Sequence, residues 1–336
     1  MKQKAVVIAP GRGTYNKPEL GTLGRRHRAF VDELYAFDDL RVEAGQTKLS
    51  DLDGAERYSI KTHTRGDNAS ALIFACSYFD FLSIDRDKFE VIGVTGNSMG
   101  WYTALTCGGA LNHLNGFNVV NTMGTLMQRS LIGGQLIYTF VDQNWQPVPG
   151  KREEIDQKIF EIERRKDHEL ALSIELGGMI VLGGNAAGLD AFEAEMPVMQ
   201  ERFPMRLENH AAFHTALQFR VAEQGRRALS QGLFEQPNIP MIDGRGAIWN
   251  PKSCDLNALW DYTLNHQVVA PYDFTAAMRT AALELMPDVF IILGPGSTLY
   301  GAVAQSLIQV GWRGIADKDS FKANVADRIV ALGSTR

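Results

Sequence analysis

Short, wholly apolar runs are spaced along the chain and separated by longer stretches of mixed or helical character. Residues 4–9 (KAVVIA) and 91–95 (VIGVT) are compact runs rich in β-branched side chains, which predicts strands buried on both faces. Residues 68–83 and 101–111 have the length and apolar content of helices that pack beside such strands. The order strand, helix, strand, helix predicts an α/β fold with a mostly parallel sheet.

The pattern changes in the middle of the chain. The predicted elements are then, in order, a strand, a charged helix, two strands joined at Gly177-Gly178, a helix and a short strand: 135–141, 151–167, 169–175, 179–182, 187–201 and 204–208. This βαββαβ order is that of a ferredoxin-like unit. We therefore expect an inserted subdomain over residues 131–208 and an α/β core built from residues 1–130 and 209–336.

The remaining segments complete the α/β pattern. The sequence predicts helices at 24–37, 117–129, 215–232, 256–265, 274–286 and from 298 onward, with strands at 240–243 and 289–293. Residues 40–66 are polar and predict a loop with helical fragments. The Gly294-Pro295-Gly296 turn has no acidic residue on a following strand, which argues against a dinucleotide loop.

Composition narrows the function classes. The chain has 336 residues, 45% hydrophobic and 22% charged, which is enough for a large core. Its net charge of −5 gives no indication of a nucleic-acid or membrane-surface partner. The three cysteines are an odd number without metal-ligand spacing, so we expect reduced thiols and no bound metal. The N-terminus leads directly into a strand, and no run approaches the ~20 apolar residues of a membrane span, so we expect a cytoplasmic protein.

The predicted strand at 91–95 leads into Gly96-Asn97-Ser98-Met99-Gly100, which is followed by a predicted helix. Strand, G-x-S-x-G and helix in this order are the context of a nucleophile elbow, in which the serine hydroxyl is exposed on a tight turn. The Met99 amide would lie at the helix start, where it can stabilise an oxyanion. The alternative is a glycine-rich connection with an incidental serine, and the flanking elements favour the nucleophile.

A serine hydroxyl needs a base, and histidine has the matching pKa. Of the seven histidines, His214 lies where the chain re-enters the core, just before a predicted helix. His210 and His266 are the alternatives. The sequence pattern does not single out an aspartate or glutamate as the third member of a catalytic triad. A backbone carbonyl or an amide group is therefore expected to orient the base.

The chain contains five motifs that resemble, in the same order, those of malonyl-CoA:acyl-carrier-protein transacylases and of the acyltransferase domains of polyketide synthases. They are PGRG at 10–13, GNSMG at 96–100, AAFH at 211–214, the segment 265–274 and the turn at 294–296. The resemblance spans nearly the whole chain. It implies an α/β-hydrolase-like core with a ferredoxin-like insert, which agrees with the predicted order of elements.

The resemblance also implies roles for single residues. Ser98 would be the acylated nucleophile and His214 its base. The main-chain carbonyl of Gln267 would orient His214, and the amides of Arg12 and Met99 would form the oxyanion hole.

Several positions that would contact the acyl group depart from the family pattern. Met123 stands where malonyl-specific members carry an arginine, and Asn97 replaces the histidine before the nucleophile. Glu175 and Met179 replace an asparagine and a glutamine, and Phe213 keeps its place beside the base. A buried carboxylate without its guanidinium is costly, so the sequence predicts a neutral acyl group rather than malonyl. The side chain of Arg12 is a possible replacement charge, but its loop position does not favour that role.

Together these features predict an acyl-carrier-protein S-acyltransferase that works through an acyl-Ser98 intermediate. No cofactor is expected, because the phosphopantetheine belongs to the acyl-CoA or the carrier protein. The expected partners are therefore a carrier protein and an acyl thioester, without nucleic acid or membrane. Two alternatives stay open: a hydrolase that removes acyl groups from carrier proteins, and a catalytically inactive homologue that only docks them.

Overall fold

Two β-sheets surrounded by helices make up the computed structural model, which describes residues 1–334. The strands are β1 (Gln3–Ala9), β2 (Phe89–Gly96), β3 (Gly134–Thr139), β4 (Leu170–Leu176), β5 (Met179–Gly184), β6 (Met205–Arg206), β7 (Met241–Ile242), β8 (Ile248–Trp249), β9 (Tyr272–Asp273), β10 (Val289–Ile292) and β11 (Ile329–Ala331). The helices are α1 (Thr22–Arg26), α2 (Val31–Glu43), α3 (Leu49–Asp53), α4 (Ile60–His63), α5 (Gly66–Leu82), α6 (Gly100–Cys107), α7 (His113–Arg129), α8 (Lys151–Glu163), α9 (Ala186–Glu195), α10 (Phe219–Ala228), α11 (Leu256–Asp261), α12 (Gln267–Val269), α13 (Phe274–Leu283), α14 (Tyr300–Gln309) and α15 (Lys318–Asn324).

The first sheet has the strand order β11-β10-β1-β2-β7-β8 and is parallel except for the final β7–β8 pair. β1 is central, and its residues 5–9 are all buried, because helices cover both faces of the sheet. The apolar runs of β1 and β2 are therefore the signature of a buried parallel sheet. The predicted α/β class with a mostly parallel sheet is confirmed.

The second sheet has the order β6-β3-β5-β4-β9. Its first four strands are antiparallel, and together with α8 and α9 they follow the strand order of a ferredoxin-like unit. The fifth strand, β9, comes from outside residues 131–208 and pairs parallel with β4. The insert therefore shares its sheet with the rest of the chain, and the division at residues 131 and 208 stays a prediction.

Several predicted helix boundaries are wrong. The helix expected at 24–37 is two helices, α1 and α2, with a break at His27, whose buried ring packs on Phe79 and lies 3.5 Å from Asp80. α2 continues to Glu43, beyond the predicted start of the polar loop. The helix expected at 215–232 begins with a 3-10 turn and ends at Ala228. In each case tertiary packing overrides a local pattern.

Three further properties hold for the described part of the chain. None of its helices is long and apolar enough to cross a membrane. No group of three or more His, Cys, Asp or Glu side chains among residues 1–334 is arranged to hold a metal ion. The three cysteines, Cys76, Cys107 and Cys254, are buried and not joined by disulfides.

Candidate active site

The candidate site lies where β1 and β2 end side by side, with Ala9 in register with Gly96. Because the two strands are parallel, the loops that follow them meet at one edge of the sheet. The Asn97 amide donates a hydrogen bond to the Ala9 carbonyl over 3.0 Å. A Cβ at Gly11 would lie 2.7 Å from the Asn97 carbonyl oxygen, so only glycine allows the two loops to approach this closely.

Ser98 occupies the turn between β2 and α6 with a left-handed backbone, φ 54°. A non-glycine residue in this region is strained and is held there only by its surroundings. Its carbonyl oxygen accepts hydrogen bonds from the Trp101 amide over 3.0 Å and from the Gln267 side-chain Nε2 over 3.1 Å. The strand, strained turn and helix of a nucleophile elbow are therefore all present around Ser98.

The structure brings His214 to this serine from 116 residues downstream. Its Nε2 lies 2.7 Å from Ser98 Oγ, and its Nδ1 lies 2.6 Å from the Gln267 main-chain oxygen. A carbonyl oxygen only accepts, so Nδ1 carries the ring proton and Nε2 is left to accept from the serine hydroxyl. His214 therefore has the tautomer and position of a general base.

His214 is 2% exposed. Burial lowers the pKa of its imidazole from its ordinary 6.5 to about 4, and the hydrogen bond to the Gln267 carbonyl partly offsets this effect. The ring is therefore neutral near pH 7 and ready to take a proton.

This pKa predicts the pH profile of Ser98 acylation by a thioester. The rate should stay level between pH 8 and pH 5 and fall about tenfold per pH unit below pH 4, because only the neutral ring accepts the serine proton. The measurement is the pre-steady-state rate of adduct formation in a series of buffers. A midpoint near 6.5 would contradict the buried, neutral base.

Unfolding has to be excluded in the same buffers. The unfolded chain binds more protons than the folded chain between the two pKa values of His214, so stability decreases as pH falls from 6.5 toward about 4. Far-UV circular dichroism at each pH separates loss of fold from loss of the base.

Gln267 connects the base with the nucleophile through two different groups. Its main chain holds His214, while its side chain binds the Ser98 carbonyl and accepts a hydrogen bond from the Tyr102 hydroxyl over 3.0 Å. Tyr102 is a site residue that the sequence analysis missed. Its spacing is the available signal, because a residue four positions after Ser98 on α6 directs its side chain back over the elbow.

The two predicted oxyanion amides lie beside this pair. Within residues 1–334, neither the Met99 nor the Arg12 amide donates a hydrogen bond to a protein acceptor. Both residues line a small pocket next to Ser98 and His214. Free amides at this position are what a developing oxyanion requires.

Two cavities meet at Ser98. The first, here called the inner pocket, has a volume of about 20 Å³ and is also lined by Ser70, Tyr102, Gly124, Met127, Phe213, Gln267 and Val268. The second, here called the channel, has a volume of about 420 Å³ and runs along the inner face of the second sheet. Its apolar lining includes Ile137, Ile174, Leu176, Met179, Val181, Met205, Leu207 and Leu299. The channel is large enough for the arm of a thioester, whereas the inner pocket has room for only a small group.

Some of the predicted substrate-binding residues line these two cavities, and others lie outside them. Asn97, Met179 and Phe213 line the channel, and Phe213 also lines the inner pocket. Met123 lines neither cavity. It is fully buried and packs on α10, where a Cβ at Gly225 would lie 2.6 Å from its sulfur.

Glu175 is not at the site, contrary to the expectation. Its carboxylate pairs with Arg152 over 2.6 Å, in a separate surface groove on the other face of the second sheet. Alternation along β4 is the reason, because its neighbours Ile174 and Leu176 face the channel and Glu175 must then face away. The identity of residue 175 therefore gives no information about which acyl group the site binds.

The alternative histidines make no contact with Ser98. His210 lines the channel, where its ring packs against Phe213. His266 stacks on Tyr262, and it lines neither the inner pocket nor the channel. Of the three candidates, His214 is the one placed to act as the base.

Comparisons with known proteins agree with the predicted resemblance. No family model matches the chain. The malonyl CoA-acyl carrier protein transacylase of Bacillus subtilis is 22% identical over 222 residues, which are 65% of this chain and 67% of the relative. An acyl carrier protein S-malonyltransferase from Vibrio cholerae superposes with a TM-score of 0.73 at 19% identity, covering 99% of this chain and 98% of its own.

A type II PKS acyl-carrier protein in complex with its malonyl-transacylase has also been solved. This chain is similar to that structure with a TM-score of 0.72 at 17% identity, covering 99% of this chain and 97% of the other. The resemblance to malonyl-CoA:acyl-carrier-protein transacylases is therefore confirmed, and at these identities the solved structures establish the fold.

Proposed function

We propose that the chain is a serine acyltransferase that moves an acyl group from a thioester to an acyl carrier protein. The observation that carries the proposal is the 2.7 Å contact between Ser98 Oγ and His214 Nε2. The likeness to acyl carrier protein transacylases supports the substrate class.

The first half-reaction follows from the geometry of the site. His214 accepts the Ser98 proton at Nε2 while Oγ attacks the thioester carbonyl. The amides of Arg12 and Met99 donate hydrogen bonds to the oxyanion. As the carbon–sulfur bond breaks, the protonated ring returns the proton to the departing thiolate, which leaves an acyl-Ser98 ester and a free thiol.

The second half-reaction reverses these steps with a different thiol. His214 takes the proton of the phosphopantetheine thiol of a carrier protein, and the sulfur attacks the acyl-Ser98 carbonyl. The serine leaves with the proton that the ring returns. The channel gives the arm a route to Ser98, and the solved complex of a relative with its carrier protein supports this partner. The proposal requires no cofactor beyond the arm that the substrates carry.

Transfer and hydrolysis share the acyl-enzyme and differ only in the acceptor. To separate them, the protein is incubated with an acyl-CoA, freed of excess donor, and given either buffer or a holo carrier protein, and intact mass follows all species. We expect a stable adduct in buffer and rapid transfer to the carrier protein. Loss of the adduct to water at the same rate in both arms would establish the hydrolase instead.

The Ser98→Ala variant is the control for this experiment, and it should acquire no adduct. If the wild-type protein forms no adduct with any thioester tested, the chain is the inactive docking homologue and the proposal fails. The sequence predicts a neutral acyl group, and that prediction rests on the loss of the arginine at Met123.

A further inference from the structure

Residues 267 and 268 contact both the nucleophile and the base. The Gln267 main-chain oxygen accepts from His214 Nδ1 over 2.6 Å, and the Val268 oxygen accepts from the His214 amide over 3.1 Å. The Gln267 side chain donates to the Ser98 carbonyl over 3.1 Å. Ser98 and His214 both have left-handed backbones, with φ 54° and 57°, and such conformations persist only where the surroundings hold them. This short segment is therefore a common support for the two residues.

The sequence explains why the Gln267 carbonyl is available to the base. In a continuous helix this carbonyl would accept from the amide of residue 271, which is a proline and has no N–H. A residue before proline disfavours the helical backbone, and Ala270 is extended, with φ −121° and ψ 155°. Helix α12 therefore ends at Val269, and its last carbonyls are free to accept from His214.

The side-chain amide of Gln267 is fixed at both of its ends. The Ser98 carbonyl can only accept, so Nε2 is the atom that faces it, and Oε1 then faces the Tyr102 hydroxyl at 3.0 Å. Burial raises the pKa of Tyr102, so the hydroxyl keeps its proton near neutral pH and donates it to Oε1. Tyr102 and Gln267 are each 2% exposed, so bulk water does not replace a hydrogen bond that is lost there.

Helix α6 carries Ser98's turn at its start and Tyr102 one helical turn later. A second hydrogen bond joins the same helix to the chain before Gln267, because Trp101 Nε1 donates to Thr263 Oγ1 over 3.0 Å in a π-helical turn. Turns of this kind interrupt the helical register and are frequent at functional sites. The helix that follows the nucleophile therefore also holds the segment that orients the base.

We propose that Tyr102 is a positioning residue for acylation of Ser98 and acts through the side chain of Gln267. Its hydroxyl keeps the Gln267 amide directed at the Ser98 carbonyl, which keeps His214 Nε2 within reach of Ser98 Oγ. In the described chain the hydroxyl makes no hydrogen bond to Oγ or to the imidazole, so its effect is indirect. This inference rests on the proposed function and adds a residue to its machinery.

The test is single-turnover acylation of the full-length protein over a range of donor concentrations, which gives a maximum rate and a half-saturating concentration. The donor is acetyl-CoA, or malonyl-CoA if that thioester acylates the wild type faster. Tyr102→Phe keeps the ring and removes the hydroxyl. We expect the maximum rate to fall by about 10- to 100-fold, because the base and the nucleophile lose their alignment.

The half-saturating concentration for Tyr102→Phe should stay within about threefold of the wild type, because Tyr102 does not line the channel that admits the arm. A maximum rate within about threefold of the wild type would overturn the inference, and so would a change confined to the half-saturating concentration.

Tyr138→Phe is the matched control. Tyr138 is a buried tyrosine on β3 whose hydroxyl donates to the Pro197 carbonyl over 2.6 Å, away from both cavities. Its loss removes a hydrogen bond of the same kind and should leave both constants within about threefold of the wild type. An equal decrease in the two phenylalanine variants would show that lost stability slows acylation, which would overturn the inference.

A double-mutant cycle separates positioning through Gln267 from other effects. Gln267→Met keeps the main-chain carbonyl that holds His214 and removes the side-chain amide. If Tyr102 acts through that amide, the double variant has the maximum rate of Gln267→Met alone, within about threefold. A decrease equal to the product of the two single effects would show that Tyr102 acts by another route, and the inference would fail.

Failure of the inference differs from failure of the proposed function. In the first case the wild type is acylated and Tyr102→Phe is acylated equally fast, whereas in the second case no thioester acylates the wild type. If Tyr102→Phe does not fold, as judged by circular dichroism, Gln267→Met decides. A wild-type maximum rate in Gln267→Met would show that the amide does not position the pair.

Discussion

Replacing His214 with alanine is expected to slow acylation of Ser98 by about ten-thousand-fold or more while leaving the protein folded. Among the described residues, the neutral ring 2.7 Å from Ser98 Oγ is the hydrogen-bond partner of that hydroxyl, and a serine hydroxyl is a weak nucleophile without a base. Stopped reactions analysed by intact mass give the rate with either malonyl-CoA or acetyl-CoA as donor.

His210→Ala provides the comparison, since His210 is a second histidine that lines the channel and makes no hydrogen bond to Ser98. Its acylation rate should stay within about tenfold of the wild type. A His214→Ala variant that keeps more than about a hundredth of the wild-type rate would mean that another group removes the serine proton.

Gly100→Ala is expected to destabilise the protein strongly, by about 3 kcal/mol or more. A Cβ at this position would lie 2.2 Å from the Ala9 carbonyl oxygen and 2.8 Å from the Pro10 carbonyl oxygen. These are backbone atoms of β1 and its loop, so they cannot rotate away as a side chain would. The midpoint of thermal or urea unfolding measures the change.

Gly301→Ala is the matched substitution, because Gly301 lies in the first turn of α14 with nothing within 4 Å of an added Cβ. It should leave stability unchanged or raise it by up to about 1 kcal/mol. If Gly100→Ala unfolds at the same midpoint as Gly301→Ala, the close contact between the elbow and β1 is not a requirement of the fold.

The parts of the site that the sequence predicts are those with a strong local pattern. Ser98 follows a β-branched run and precedes a helix, so both its neighbours in the chain indicate its role. His214 has a weaker signal, and without the resemblance three histidines stayed open. The parallel sheet was predictable because short, wholly apolar runs form its central strands and helix-length apolar segments alternate with them.

Two kinds of feature could not be predicted from the sequence. Some depend on contacts between residues that are distant in the chain, and others depend on which face of a strand a side chain occupies. Glu175 was misplaced because a one-residue change of position on a strand moves a side chain to the other face. β9 has two residues and forms only because β4 is there to pair with it. The place of the Arg12 guanidinium is set by carbonyls 52 and 197 residues away, which no local pattern indicates.

The most direct test of the central claim is to locate the acyl group after a short incubation with acetyl-CoA. Trypsin releases residues 89–129 as one fragment, which contains Ser98 and Cys107, and tandem mass spectrometry assigns the modified side chain. The account predicts an ester on Ser98 that disappears when a holo carrier protein is added and that does not form in His214→Ala on the same timescale. An unmodified Ser98 together with acyl transfer to the carrier protein would contradict it.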